Sequence, residues 1–163
     1  MNFKSTNEIN TFSFSDCRIV DCVFSQDQLT LSLDALIITA ANSQNTRFTN
    51  SYADITQARF TNCRIVSAVK DGFRYYNADD VLIKEVPDQL LDEAQLQELL
   101  KNLSGSYLTG IEKAEEEADL QSFSLLLEFE EEYGTAGDSY TLLIQFKDAV
   151  FEWEHYKNKV NAQ

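Results

Sequence analysis

The tightest constraint on this chain is a seven-residue stretch that occurs twice. Phe14-Ser15-Asp16-Cys17-Arg18-Ile19-Val20 and Phe60-Thr61-Asn62-Cys63-Arg64-Ile65-Val66 are identical at five of seven positions. A shorter copy, Phe146-Lys147-Asp148-Ala149-Val150-Phe151, keeps the order aromatic, any residue, Asp or Asn, small, any residue, apolar, and Leu103-Ser104-Gly105-Ser106-Tyr107-Leu108 is a degenerate fourth. The pattern makes sense as a bent strand. An inward Phe ends one segment, a polar residue that tolerates turn geometry makes the kink, and a new strand resumes with Ile or Phe inward.

The segments between the copies are also alike. Leu29, Leu31 and Leu33 alternate as Phe123, Leu125, Leu127 and Phe129 do, and Ser51-Tyr52 precedes the second copy as Ser139-Tyr140 precedes the third. This predicts two related β-rich halves, 10–86 and 103–155, joined through 87–102 within one domain, 1–163. A rival reading follows from spacing: Phe14, Ile19, Phe24 and Leu29 are five apart, as are Ile55, Phe60 and Ile65. That period resembles the pentapeptide repeat, a square parallel β-helix. It fails between Leu31 and Asn45, and a solenoid needs several stacked turns to bury its faces.

Other elements follow from local patterns. Gly72-Phe73-Arg74-Tyr75-Tyr76 and Val81 to Val86 flank Asn77-Ala78-Asp79-Asp80, which predicts a hairpin with Phe73 and Tyr75 inward and Arg74 and Tyr76 outward. Pro87 ends it. Asp92 is a good helix N-cap with Gln95 three residues on, and Leu96, Leu99, Leu100 and Leu103 form one apolar stripe, so a helix is expected near 92–103, with Gly105 as its left-handed C-terminal cap. Glu112 to Asp119 is helical by propensity but has little apolar face. Two alternating strands, Ser122 to Glu131 and Tyr140 to Lys147, flank Tyr133-Gly134-Thr135-Ala136-Gly137-Asp138, and Phe151 and Trp153 extend the pattern. His155 to Gln163 reads as a polar tail or short helix. The fold class expected is α+β, dominated by antiparallel strands.

A core is within reach of 163 residues that are 44% apolar and 12% aromatic without disulfide or metal staples. No apolar run approaches the ~20 residues of a membrane helix, and the opening residues lack the apolar centre of a signal peptide. Cys17, Cys22 and Cys63 are odd in number and fit reduced thiols, so the expected compartment is the cytoplasm. The net charge of −14 is unevenly spread: residues 1–84 hold 9 acids and 8 bases, residues 85–163 hold 18 and 5. Such a field disfavours nucleic acid and anionic lipid and favours a basic protein as partner.

Marks of catalysis are sparse. His155 is the one histidine, it lies near a terminus, and no nucleophile elbow or cysteine-enzyme signature accompanies it. The cysteines lack a histidine cluster to complete a zinc shell and fit small buried side chains instead. The five glycines form no phosphate-binding fingerprint. The runs Glu115-Glu116-Glu117 and Glu130-Glu131-Glu132 lack the residue order of a calcium loop, and no cofactor is expected.

The stretch Leu31-Ser32-Leu33-Asp34-Ala35-Leu36-Ile37-Ile38, with Asn42-Ser43-Gln44-Asn45 and Gly72-Phe73-Arg74-Tyr75-Tyr76-Asn77-Ala78-Asp79, resembles a family of small uncharacterised bacterial proteins over about residues 10–87. That resemblance implies no established activity. The Phe-x-Asp-x-x-Ile plus Leu-x-Leu-x-Leu arrangement is also similar to small acidic immunity-type proteins found near bacterial toxins. The expected function is non-enzymatic docking of a basic protein, with Glu115, Glu116, Glu117, Glu128, Glu130, Glu131 and Glu132 supplying the field. The alternatives are a small hydrolase or cation-dependent enzyme built on paired carboxylates, and a ligand-binding or structural module.

Overall fold

The structure, a computed structural model, describes residues 1–116, 119–130 and 137–159. In chain order the first strands are β1 (Phe3–Thr6), β2 (Phe12–Ser13), β3 (Arg18–Ser25), β4 (Gln28–Asp34) and β5 (Ile37–Ile38). Next come β6 (Ser51–Ala53), β7 (Thr56–Phe60), β8 (Arg64–Lys70), β9 (Phe73–Tyr76), β10 (Leu82–Val86) and β11 (Gln89–Leu90), then the helix α1 (Glu93–Lys101). The last are β12 (Tyr107–Lys113), β13 (Gln121–Glu128), β14 (Ser139–Phe146), β15 (Ala149–Trp153) and β16 (Tyr156–Lys159). Every pairing among the described strands is antiparallel. The fold is α+β and mostly antiparallel sheet, and the parallel solenoid is excluded.

The recurring motif bends strands. β7 runs through Thr61, Asn62 and Cys63 into β8, and β14 runs through Lys147 and Asp148 into β15. Asn62 takes the left-handed backbone, φ +44°, which its short polar side chain tolerates. The two bent strands pair along their whole length, β15 with β7 and β14 with β8. At the bend itself the Thr61 amide donates to the Asp148 carbonyl (2.9 Å) and the Lys147 amide to the Thr61 carbonyl (2.8 Å). The other two copies also meet each other. Tyr107 pairs with Arg18, the Ile19 amide donates to Ser106 (2.8 Å), and the Leu108 amide donates to Cys17 (3.0 Å).

These contacts close the large sheet on itself. Going round, β3 pairs with β4, β4 with β7, the β7–β8 strand with the β14–β15 strand, β14 with β13, β13 with β12, and β12 with β3. Exchanging β3, β4, β7 and β8 for β12, β13, β14 and β15 leaves this cycle unchanged. A closed barrel removes the free edges that an open sheet must protect. Its alternate residues fill the interior: Ile19, Leu31, Leu33, Phe60, Leu108, Leu125, Leu127, Ile144 and Phe146 are buried in one continuous cluster. Each such side chain contributes roughly 1.5–3 kcal/mol relative to exposure.

Two layers cover the barrel. On one side β1 pairs with β15, and the small sheet β16-β6-β5-β2 brings Phe12 onto Phe151, ring centroids 4.4 Å apart, and edge-on to Trp153. Elsewhere α1 lies against β3. The capping box forms as expected: Asp92 accepts from the Gln95 amide while the Gln95 side chain accepts from the Asp92 amide. Leu99 and Leu103 are buried, and Leu96 and Leu100 pack at their edge. No helix is long and apolar enough to cross a membrane among the described residues.

Five local expectations are corrected. Gly105 is left-handed, φ +92°, but the helix has already closed at Asn102, whose amide donates to Glu98 and Leu99, so the glycine serves the Leu103–Ser106 turn. Glu112 and Lys113 end β12, and the Ala114 amide extends the ladder to Ser122; pairing with β13 overrides helix propensity there. Tyr156 to Lys159 form a strand against β6. Ser51-Tyr52 belongs to the small sheet, whereas Ser139-Tyr140 starts a barrel strand. The β9–β10 hairpin forms, but as a separate two-stranded sheet with Phe73 and Tyr75 about as exposed as Tyr76. Its neighbours explain this. The barrel is already complete, and the chain leaves it at Asp71, whose carboxylate accepts from the Ser139 and Thr141 hydroxyls.

Candidate functional site

The residues that end β8, α1, β13 and the start of β14 enclose a cleft of about 710 Å3, within the range of ligand-binding clefts. Its apolar lining is Leu91, Leu99, Phe129 and Tyr140, the last two packed edge to face at 5.6 Å. Its polar lining includes Glu98, Glu130 and Asp138 against one cation, Lys70, among the described residues. Lys70 is itself 3.6 Å from the Asp138 carboxylate, which leaves an acidic excess.

Each group is placed by an element with its own reason to form. Glu98 sits on α1 one residue before the buried Leu99, and Asn102 one turn on donates to its carboxylate at 3.1 Å. Asp138 is held where the Phe129 amide donates to its carbonyl (2.9 Å), and the approach there is too close for a side chain: a Cβ on Gly137 would lie 1.9 Å from the Phe129 carbonyl oxygen. Glu130 accepts the Tyr107 hydroxyl at 2.7 Å, and that hydrogen bond, with the carboxylate charge behind it, raises the phenol above its ordinary pKa of 10.0. The Tyr107 bond ties the barrel's β12 to the rim of the cleft.

The seven expected docking residues do not form one surface. Glu130 lines the cleft, and the exposed Glu128, two residues earlier, ends β13 opposite Tyr107. Glu115 and Glu116 are exposed beyond the far end of β12, where Lys113 pairs with Glu116 at 3.4 Å. The length of β13 separates the two groups by about 20 Å. Glu117, Glu131 and Glu132 lie outside the described residues. Glu98 and Asp138 were not singled out in the sequence, since neither belongs to an acidic run; the signal for Glu98 is its place beside the leucine stripe of α1.

The other reactive side chains sit apart from the cleft. Cys17 and Cys63 are buried and Cys22 half-buried. Burial, with Asp34 and Asp27 acting in the same direction, pushes Cys17 and Cys63 each up to about 12, and burial with Asp21 pushes Cys22 up to about 11. These are thiols, not nucleophilic thiolates. His155 is exposed in a turn where its amide donates to Asp54. No three His, Cys, Asp or Glu side chains converge as metal ligands would among the described residues.

No protein-family model, curated protein or solved structure matches this chain.

Proposed function

We propose that this domain is a non-enzymatic binding protein that docks a basic segment of a partner protein in the cleft beside α1. The observation that carries the reading is the pairing of an apolar lining, Leu91, Leu99, Phe129 and Tyr140, with carboxylates from α1 (Glu98) and from both ends of the β13–β14 connection (Glu130 and Asp138). An amphipathic Lys- or Arg-bearing segment complements both at once. Its apolar side supplies affinity by burial, and its charges are steered by a chain of net charge −14. In this reading the protein works in a reducing compartment, where its three thiols stay free.

The role of Glu115 and Glu116 changes accordingly. They add to the long-range field and accelerate encounter, while Glu98, Glu130 and Asp138 contact the bound segment. The test is an affinity capture of basic proteins at low ionic strength with three baits: the natural chain, Glu98→Gln/Glu130→Gln/Asp138→Asn, and Glu115→Gln/Glu116→Gln. The expected outcome is retention by the first and third baits and loss by the second. Equal retention by all three baits would remove the cleft from the account.

A further inference from the structure

We propose that the β9–β10 hairpin is a self-association arm, and that two copies of this chain join through it edge to edge. The hairpin stands off the barrel as a sheet of two strands, and an isolated two-stranded hairpin is marginal in water. Six of its side chains, Phe73, Tyr75, Tyr76, Val81, Leu82 and Ile83, are between 44% and 65% exposed. With aromatic side chains offering ~150–250 Å2 each, these six present on the order of 500 Å2 of apolar surface per copy. Strand alternation divides that surface between the two faces of the hairpin. A standard interface needs about 800 Å2 per partner, so the strand backbone and flanking polar groups must be covered as well. Pairing along a strand edge covers strand backbone and sets the side chains of both faces beside their cross-strand counterparts.

Charge selects a second copy as the occupant. Two chains of net charge −14 repel each other over most of their surface. Residues 73–86 carry Arg74 and Lys84 against Asp79, Asp80 and Glu85, a net of −1, and Arg74 is neutralised across the hairpin by Glu85 at 3.0 Å. The arm is thus a place where identical acidic copies can meet without opposing their charge, and it holds the acidic bodies apart. A basic partner gains little here, because the excess negative charge that attracts it lies elsewhere.

The backbone selects the edge. β10 is bulged between Leu82 and Lys84, and bulges blunt an edge against pairing. β9 is regular, and its outer edge has no partner strand among the described residues. Antiparallel pairing of β9 with its copy about a two-fold axis, centred on Tyr75, sets Tyr75 against Tyr75 and Arg74 against Tyr76, with no like charges opposed. Aromatic cross-strand pairs of this kind stabilise sheets, and the contact is self-complementary as a two-fold interface requires.

Sedimentation equilibrium of the full chain over a range of concentrations, at low and high salt, tests this. The expected result is a particle of twice the 18.6 kDa chain mass, its association unchanged or strengthened by salt. The Asn77 amide donates across the hairpin to Val81 (2.9 Å), so by alternation the Tyr76 amide faces the outer edge. Tyr76→Pro removes that donor and should give a monomer, and Tyr75→Lys, which keeps the backbone, should do the same through charge. Far-ultraviolet circular dichroism and a melting profile like those of the natural chain establish that each variant is folded. A natural chain that stays monomeric throughout, or a folded Tyr75→Lys variant that still dimerises, overturns the proposal. Opposite salt responses separate this contact from docking in the cleft, which weakens as salt is added.

Discussion

Phe60 shows how one residue of the motif acts in the whole. It is fully buried, with Phe146 and Phe151 edge-on at 5.0 and 6.2 Å, so it joins the two bent strands at their shared corner. Phe60→Ala removes those contacts and leaves a cavity at the closure point. It should cost about 3–5 kcal/mol, read as a lower urea midpoint with an unchanged slope. The cysteine immediately before the next strand, Cys63 in this copy and Cys17 in the first, gives a second prediction. Because Cys17 and Cys63 are buried and held protonated up to about 12, neither should react with a thiol reagent at about pH 8 until the chain is unfolded. The same shift sets a sign for stability. Unfolded thiols ionise near their ordinary value of 9.0 while the folded ones stay protonated, so the unfolded state binds fewer protons and stability falls as pH rises from about 9 toward 12. Titration of the melting temperature over that window checks it.

At the scale of elements, the most legible part of the sequence was the part governed by nearby residues. Asp92 and Gln95 announced a capping box, and both of its hydrogen bonds are present. Asp92→Ala should therefore cost about 1 kcal/mol, seen in thermal unfolding, with an accompanying loosening of Leu99 and of the cleft it lines. The alternating strands Gln28–Asp34 and Gln121–Glu128 were legible for the same reason, since period-two burial is written directly into Leu29, Leu31, Leu33, Leu125 and Leu127. Phe73 and Tyr75 were misread because alternation says which residues share a face and not whether that face is covered. Whether it is covered depends on β8 having already paired with β14, a contact about 70 residues away in sequence. The acidic runs failed for a related reason. Glu116 and Glu128 are close in number but sit at opposite ends of one hairpin; the β13–β14 hairpin pattern places Glu130 near Asp138, but only the tertiary fold sets Glu98 of α1 in the same cleft.

For the whole molecule, closure of the sheet and separation of charge belong to one account. The four motif copies meet in two pairs and close a set of strands into a barrel, with α1, the small sheet and the β9–β10 arm outside it. The barrel fixes the ends of β8, β13 and β14, so the cleft beside α1 is built on rigid supports, as a recognition site requires. In the proposed function the acidic second half acts at two ranges: a general field over the surface, and local carboxylates beside the apolar lining of the cleft. The central claim is that the second of these makes contact with a partner. It is tested most directly by titrating a Lys-rich amphipathic peptide into the isotope-labelled chain and following backbone amide shifts at low salt. The account predicts shifts concentrated at Glu98, Leu99, Asn102, Phe129, Glu130, Asp138 and Tyr140, fading as salt is raised, with Glu115 and Glu116 little moved. Shifts centred on Glu115 and Glu116, or none in the cleft at saturating peptide, would contradict it.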